Sequence, residues 1–410
     1  MNDLSNAKPS VRRRVFFVPG YDPFPPRRYR ELYRREGAAQ AALSGYHLRL
    51  TAGRDEGAYG WNVDTDIAGQ RTEAVISVLV WSDIVQLSMG QGIGQTYLQL
   101  VRTARVYIGS GALMALMRLR KGPMIAALYP IVFLILELML AAVLGGLLGH
   151  LTLSVFPIGA SGRAVLWVIV AGAGAYGILW LFRRYDRYLF AWYLMHDYAF
   201  TAALGGANPQ GLEERMALFG KRIAAALHED VDEVLVIGHS SGAHLAISIL
   251  ADLIRSDAFG GGRPALGFLS LGQVVPMVSF LPNAGRLRDD LAYLSERAEL
   301  TWVDVTAPGD GCAFALCDPV AVSGMAGPEK RWPLVLSAAF SQTLSPARWA
   351  KLKRKYFRLH FQYLCAFDRP GDYDYFQITA GPLTLAARYD GRAPSKSRIE
   401  TPCNPFGHVR

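Results

Sequence analysis

Two uninterrupted apolar runs constrain this chain more than anything else in it. Residues 124 to 149, MIAALYPIVFLILELMLAAVLGGLLG, carry one charge, Glu137, in 26 positions, and residues 164 to 182, AVLWVIVAGAGAYGILWLF, carry none in 19. At about 1.5 Å of rise per helical residue, each run is long enough for the ~30 Å hydrocarbon core of a bilayer. The stretch between them, HLTLSVFPIGASGR, is too short for a domain, so the runs predict a two-helix transmembrane hairpin. Small residues four apart, Gly145 with Gly149 and Ala173 with Gly177, predict close approach of the two helices. Glu137 is expected to face the partner helix or to lie where the first span kinks after Pro130.

The flanks orient the hairpin. Arg118, Arg120 and Lys121 precede the first span and Arg183, Arg184 and Arg187 follow the second, whereas the loop holds only Arg163. The positive-inside rule then puts both large flanking segments, with both termini, on the cytoplasmic side of the cell's inner (plasma) membrane. Residues 102 to 121 carry five basic and no acidic side chains and read as an amphipathic helix along the membrane surface. The N-terminal MNDLSNAKPSVRRR is not followed by an apolar h-region, so no cleavable signal peptide is expected.

The rest of the chain is built for a folded core. With 51% hydrophobic and 19% charged residues in 410, it excludes disordered and low-complexity classes. The formal charge of +9 suits an anionic membrane surface and is too evenly mixed to require nucleic acid. A short apolar run ended by Pro-Gly within residues 11 to 22, and strand-like runs in YHLRL, AYGWNV and EAVISVLVW and at 233 to 237, 266 to 272 and 300 to 306, alternate with helical stretches. One helix is expected from Tyr29 to Leu43, and another carries Leu212, Met216, Phe219, Ile223 and Leu227 on one face. The fold class is therefore α/β, a mostly parallel sheet flanked by helices and interrupted by the hairpin. It is divided as 1–101, the N-terminal part of the domain; 102–190, the amphipathic helix and hairpin; and 191–410, the C-terminal part.

The sharpest chemical signal is EVLVIGHSSGAHLAISILADLI. An apolar strand ends in Gly238-His239-Ser240-Ser241-Gly242 and a helix begins at once, which is GxSxG at a strand-to-helix turn. A serine on so sharp a turn needs neighbours without side chains, and the helix start favours a developing negative charge beside it.

With VFFVPGYDPF near the N-terminus, and with acid and histidine candidates following GHSSG in order, the chain resembles the α/β-hydrolase superfamily, including bacterial membrane-embedded serine hydrolases. The resemblance covers most of the segments outside the hairpin and implies an α/β-hydrolase-like fold with a serine, an acid and a histidine acting together. Ser240 would be the nucleophile. The family's base position falls at His360 in KYFRLHFQYL, with KYFRL expected as the last strand and HFQYL as the loop beyond; His408, near the C-terminus, is the alternative. The family's acid position, the loop after a strand, falls at Asp310 in LTWVDVTAPGDGCAF, with Asp318 the runner-up and Asp304 inside the strand. The oxyanion hole maps to the N–H of Ser241 and a backbone N–H in Pro19-Gly20-Tyr21, with Tyr21 chosen. The sequence lacks the HGGG form of many lipases. His239, expected to point away from the nucleophile, and His244 read as structural.

The implied activity is a membrane-anchored serine hydrolase, esterase- or lipase-like, that cleaves an ester or related acyl bond, of a small molecule or a lipid, through an acyl-enzyme. An acyltransferase or thioesterase would use the same residues. A non-catalytic anchored module with a hydrolase-like fold is the alternative of another class. The lipid bilayer is the expected partner. Neither cofactor nor metal is expected: GQGIG at 90 to 94 lacks the spacing and context of a dinucleotide fingerprint and reads as a loop, and Cys312 and Cys317 have no metal-site pattern around them. The basic run from Lys351 to Arg358 reads as a solvated or headgroup-facing surface, with no nucleic-acid module beside it.

Overall fold

The computed structural model describes residues 10–53, 59–155, 159–256 and 264–407 in full, and the backbone of Arg54, Asp55 and Ala58; His408 lies outside the described residues. The elements run in order β1 (Val11–Val18), α1 (Arg27–Ser44), β2 (His47–Asp55), β3 (Ala58–Ile67), β4 (Gln70–Val78), α2 (Ser82–Met89), α3 (Ile93–Gly109), α4 (Ala112–Met117), α5 (Lys121–Val155), α6 (Ala160–Arg184), α7 (Ala191–Ala202), α8 (Gln210–Ala226), β5 (Glu233–His239), α9 (Gly242–Arg255), β6 (Ala265–Leu271), α10 (Val275–Ser279), α11 (Gly285–Glu296), β7 (Leu300–Thr306) and β8 (Leu334–Ser337), followed by short helices. Eight strands form one sheet in the order β2-β3-β4-β1-β5-β6-β7-β8. The pairs from β4 to β8 are parallel, and β2 and β3 add an antiparallel meander at one edge.

Period-two alternation explains how both faces are covered. In β1, Val15 and Phe17 enter one core layer with Tyr29, Tyr33 and Ala41 of α1. Phe16 and Val18 enter the other with residues of α8, α9 and α11. β5 divides in the same way, with Leu235 and Ile237 on the α1 side and Val234 and Val236 on the α9 side. Because the strands from β1 to β7 run parallel, their carboxyl ends open at one edge of the sheet, where loops from separate parts of the chain meet.

Among the described residues α5 and α6 are the two helices long and apolar enough to cross a membrane, and they pack on each other. Gly145 lies against Ala171 and Ala175, where a Cβ would meet the Ala171 carbonyl oxygen at 2.5 Å, and Gly149 lies against Trp167. The predicted partner face on α6 is corrected: Ala173 is exposed and Gly177 has nothing within 4 Å, while Ala171, Gly174 and Ala175 make the contact. Four-residue spacing occurs on every face of a small-residue helix, so it could not select one.

α5 also has a buried stripe, Pro123, Ala127, Pro130, Leu134, Glu137 and Ala141, at helical spacing. That stripe faces the rest of the protein, where Leu134 and Ala141 join Trp192 and Met195 of α7 and Leu100 of α3. Glu137 is buried against α7 and accepts a 2.9 Å hydrogen bond from Trp192 Nε1, rather than facing α6. The single amphipathic helix expected over 102 to 121 is two helices, α3 and α4, broken at Ser110 and Gly111, where Gly111 takes φ +75°. α3 does bury one stripe, Ile93, Thr96, Leu100, Thr103 and Tyr107, and leaves Arg102 and Arg105 exposed. GQGIG is the connection from α2 to α3, with helix from Ile93 onward.

Two further expectations change. The last strand is β8, and the KYFRL segment is not a strand: Tyr356–His360 is a short helix. Five residues cannot separate the two periods by pattern, and here Leu359 and His360 are buried side by side while Arg358 is exposed, which a strand would not allow on one face.

Candidate functional site

The β5–α9 turn fixes Ser240 in the left-handed region at φ +56°. A non-glycine residue there costs about 1–2 kcal/mol, and the surroundings hold it in place. Its N–H donates to the Leu271 carbonyl at the end of β6, 2.9 Å away. Gly238 and Gly242 make the turn possible, because a Cβ on Gly238 would meet Ala243 Cα at 2.6 Å and one on Gly242 would meet the Val18 carbonyl oxygen at 2.1 Å. Strand and helix therefore cross at backbone contact, with Ser240 at the apex. Gly20, after β1, completes the approach: a Cβ there would lie 3.0 Å from Ser240 Cβ and 3.5 Å from its Oγ.

Asp310 sits in the turn after β7, with its N–H bonded to Ala307 O at 2.9 Å. Its Oδ1 accepts from the Cys312 N–H at 2.9 Å. Oδ2 accepts from His360 Nδ1 at 2.7 Å and from the Tyr363 hydroxyl at 3.0 Å. Asp310 is 2% exposed and His360 7%, so this pair is shielded from competing water. A carboxylate accepting from Nδ1 fixes the tautomer and leaves Nε2 as the basic nitrogen. Tyr363 is a positioning residue that sequence reasoning missed: its oxygen also accepts from the Ala307 N–H at 3.0 Å, tying the acid loop to the segment that carries the imidazole.

The other acids are differently placed. Asp304 is buried inside β7, accepts from Ser270 Oγ at 2.6 Å, and is pushed up to about 8 by burial. Asp318 caps a short helix and pairs with Lys330 at 2.7 Å, burial raising it above the usual carboxylate range. His239 does not point out of the site as expected: its ring lies 4.8 Å from that of His360 and its Nε2 donates to the His360 carbonyl at 3.0 Å. Burial, then the neighbouring His360, drives His239 down to about 3, so it is a neutral brace. Burial likewise takes His244 down to about 4.

Ser240, Ser241, His360, Gly20 and Tyr21 all line one cavity, with Asp310 directly behind His360. Ser241 precedes α9, at the positive end of that helix. Tyr21 is held from both sides: its hydroxyl shares a 2.5 Å hydrogen bond with Ser88, and its carbonyl accepts from the Tyr193 hydroxyl. Pro123 and Ala126 of α5 and Leu194, Asp197 and Thr201 of α7 form a wall of the cavity, so the first apolar helix contributes directly to it. Asp310, Cys312 and His360 present ligand atoms within 4.8 Å of one another. A cation shared among them would displace the proton between Nδ1 and Oδ2 and would need a thiolate, whereas burial drives the Cys312 thiol well above its usual range.

The arrangement is an alcohol on a strained turn, an imidazole with one nitrogen free, a carboxylate behind it and helix-start amides alongside, which together are equipped for acyl transfer. Compared with protein-family models, curated proteins and solved structures, the chain matches none of them.

Proposed function

We propose that the protein is a membrane-anchored serine hydrolase of the α/β-hydrolase type that cleaves acyl esters. Ser240 Oγ attacks the acyl carbonyl as His360 Nε2 takes its proton, and Asp310 steadies the imidazolium. The oxyanion is met by the Ser241 N–H and a backbone N–H at Gly20–Tyr21. His360 returns the proton to the departing alcohol, and a water activated by the same nitrogen releases the acid from Ser240. The observation that carries the reading is the left-handed serine of GHSSG sharing one cavity with a histidine whose Nδ1 is 2.7 Å from a buried aspartate.

Fluorophosphonate labelling, which reports nucleophilic serines, tests the roles. His360→Ala should slow labelling about a thousandfold and Asp310→Asn by about two orders of magnitude, in protein that still melts cooperatively. Labelling of the His360→Ala protein at the unmutated rate would overturn the assignment.

α5 and α6 are read as the two spans of a hairpin in the inner membrane, with the catalytic domain in the cytoplasm. The support is their length and the exposed apolar side chains along them, including Leu136, Met139, Val143, Leu147, Val168 and Ile169, together with the basic flanks from Arg118 to Lys121 and from Arg183 to Arg187. Topology reporters inserted at Ser161 should report from the far side of the membrane and those after Arg187 from the cytoplasm. A cytoplasmic signal at Ser161 would refute two spans.

A further inference from the structure

Leu194, Asp197, Tyr198 and Thr201 present one stripe of α7 to the cavity. Asp197 is the unusual member. Among the described residues no hydrogen bond or ion pair reaches its carboxylate, and the groups around it, Tyr21, Tyr107, Tyr193, Tyr198 and Cys312, are all held neutral by burial. Burial pushes Asp197 up to about 7, opposed only by His360. The other cavity acid, Asp22, already pairs with Arg28 and accepts from the Tyr29 hydroxyl. No lysine or arginine is among the lining residues described. The lining includes aromatic rings instead: Tyr21, Tyr29, Tyr193, Tyr198, Phe357 and Phe361.

An unpaired carboxylate surrounded by aromatic rings and without a competing cation suits a quaternary or primary ammonium, which gains from the charge and from the ring faces together. The same surroundings repel a phosphate or a carboxylate. Pro123, Ala126 and Leu194 line the cavity with apolar side chains, the first two from α5, while Asp197, Thr201 and His244 also line an adjoining space with Asn208.

We propose that Asp197 selects the charge of the substrate: the site takes acyl esters whose alcohol carries a cationic ammonium, with the acyl chain toward α5 and the ammonium toward Asp197, and rejects esters of anionic alcohols. The inference rests on the hydrolase reading for its orientation, but its test does not require turnover.

Binding is measured by calorimetry with the full-length Ser240→Ala protein in neutral detergent. The probes are a medium-chain choline ester and its uncharged isostere, in which carbon replaces the ammonium nitrogen. The choline ester should bind about tenfold or more tightly than the isostere. Asp197→Asn in the same background should bring the ratio close to one, and Asp197→Glu should keep most of it. The preference should also grow from about pH 6 to pH 8 as the carboxyl ionises, and this rise should vanish in the asparagine variant. Equal binding of the two esters by the unmutated cavity would overturn the proposal without reference to any variant, as would an undiminished preference in Asp197→Asn. A cation preference in a protein whose intact Ser240 hydrolyses neither ester would instead remove the hydrolase reading and leave the selectivity of Asp197 standing.

Discussion

Ser240→Ala should eliminate fluorophosphonate labelling and lower ester hydrolysis by about a thousandfold or more, while the melting temperature in detergent should stay within a few degrees of the parent. The magnitude follows from what is removed. Ser240 is the hydroxyl that the turn holds at φ +56° in the cavity it shares with His360. Without Oγ there is no covalent route, and His360 can only activate water in a geometry built for another nucleophile; about a thousandfold is the conservative end of such losses. Ser241 stands next to it and lines the same cavity, so the experiment also separates the two. Ser241→Ala keeps its backbone N–H and should label at close to the parent rate. Labelling that survives Ser240→Ala and disappears with Ser241→Ala would move the nucleophile by one residue, which the left-handed backbone at 240 argues against.

What could be read in the sequence was whatever depended on neighbours along the chain. Ser240 was legible because Val234 to Ile237 are apolar, Gly238 and Gly242 bracket the turn, and a helix pattern starts without a gap. Asp310 was legible because a strand-like run ends in Pro-Gly-Asp-Gly. His360 lies in a helix and not at the end of a strand, since Tyr356–His360 is too short for its pattern to favour helix or strand. β8, at Leu334–Ser337, is four residues long, too short for its pattern to declare a strand.

The missed residues depended on the third dimension. Tyr363 supports Asp310 across 53 positions of sequence, and nothing in HFQYL announces that partner. Asp197 stands out locally as a charge within AWYLMHDYAF, yet its place in the cavity wall depends on how α7 lies across the strand ends. The hairpin was visible from hydropathy alone. That its first helix buries a stripe on α7 and carries Pro123 and Ala126 into the cavity wall was not, because an apolar helix looks uniform from every side until its neighbours are known.

Gly242→Ala should strongly destabilise the fold. The new Cβ would stand 2.1 Å from the Val18 carbonyl oxygen and 2.6 Å from that of Pro19. Both are backbone atoms, and Val18 is fixed in a buried strand paired on both sides, so neither can rotate away. Overpacking of a core usually costs about 1–3 kcal/mol when side chains can give way; with rigid backbone on one side the cost should be at or above the top of that range. Against a total stability of about 5–15 kcal/mol, the variant should melt far below the parent or fail to accumulate. Two companions give the result its meaning. Gly177→Ala, where nothing lies within 4 Å, should leave stability unchanged or slightly raised, as alanine favours helix by about 1 kcal/mol. Gly20→Ala, whose Cβ would meet Ser240 Cβ at 3.0 Å, should fold yet label slowly, because the crowding falls on the reacting side chain. A Gly242→Ala protein that melts and labels like the parent would mean that β1 and α9 do not cross in backbone contact, and the turn that presents Ser240 would have to be redrawn.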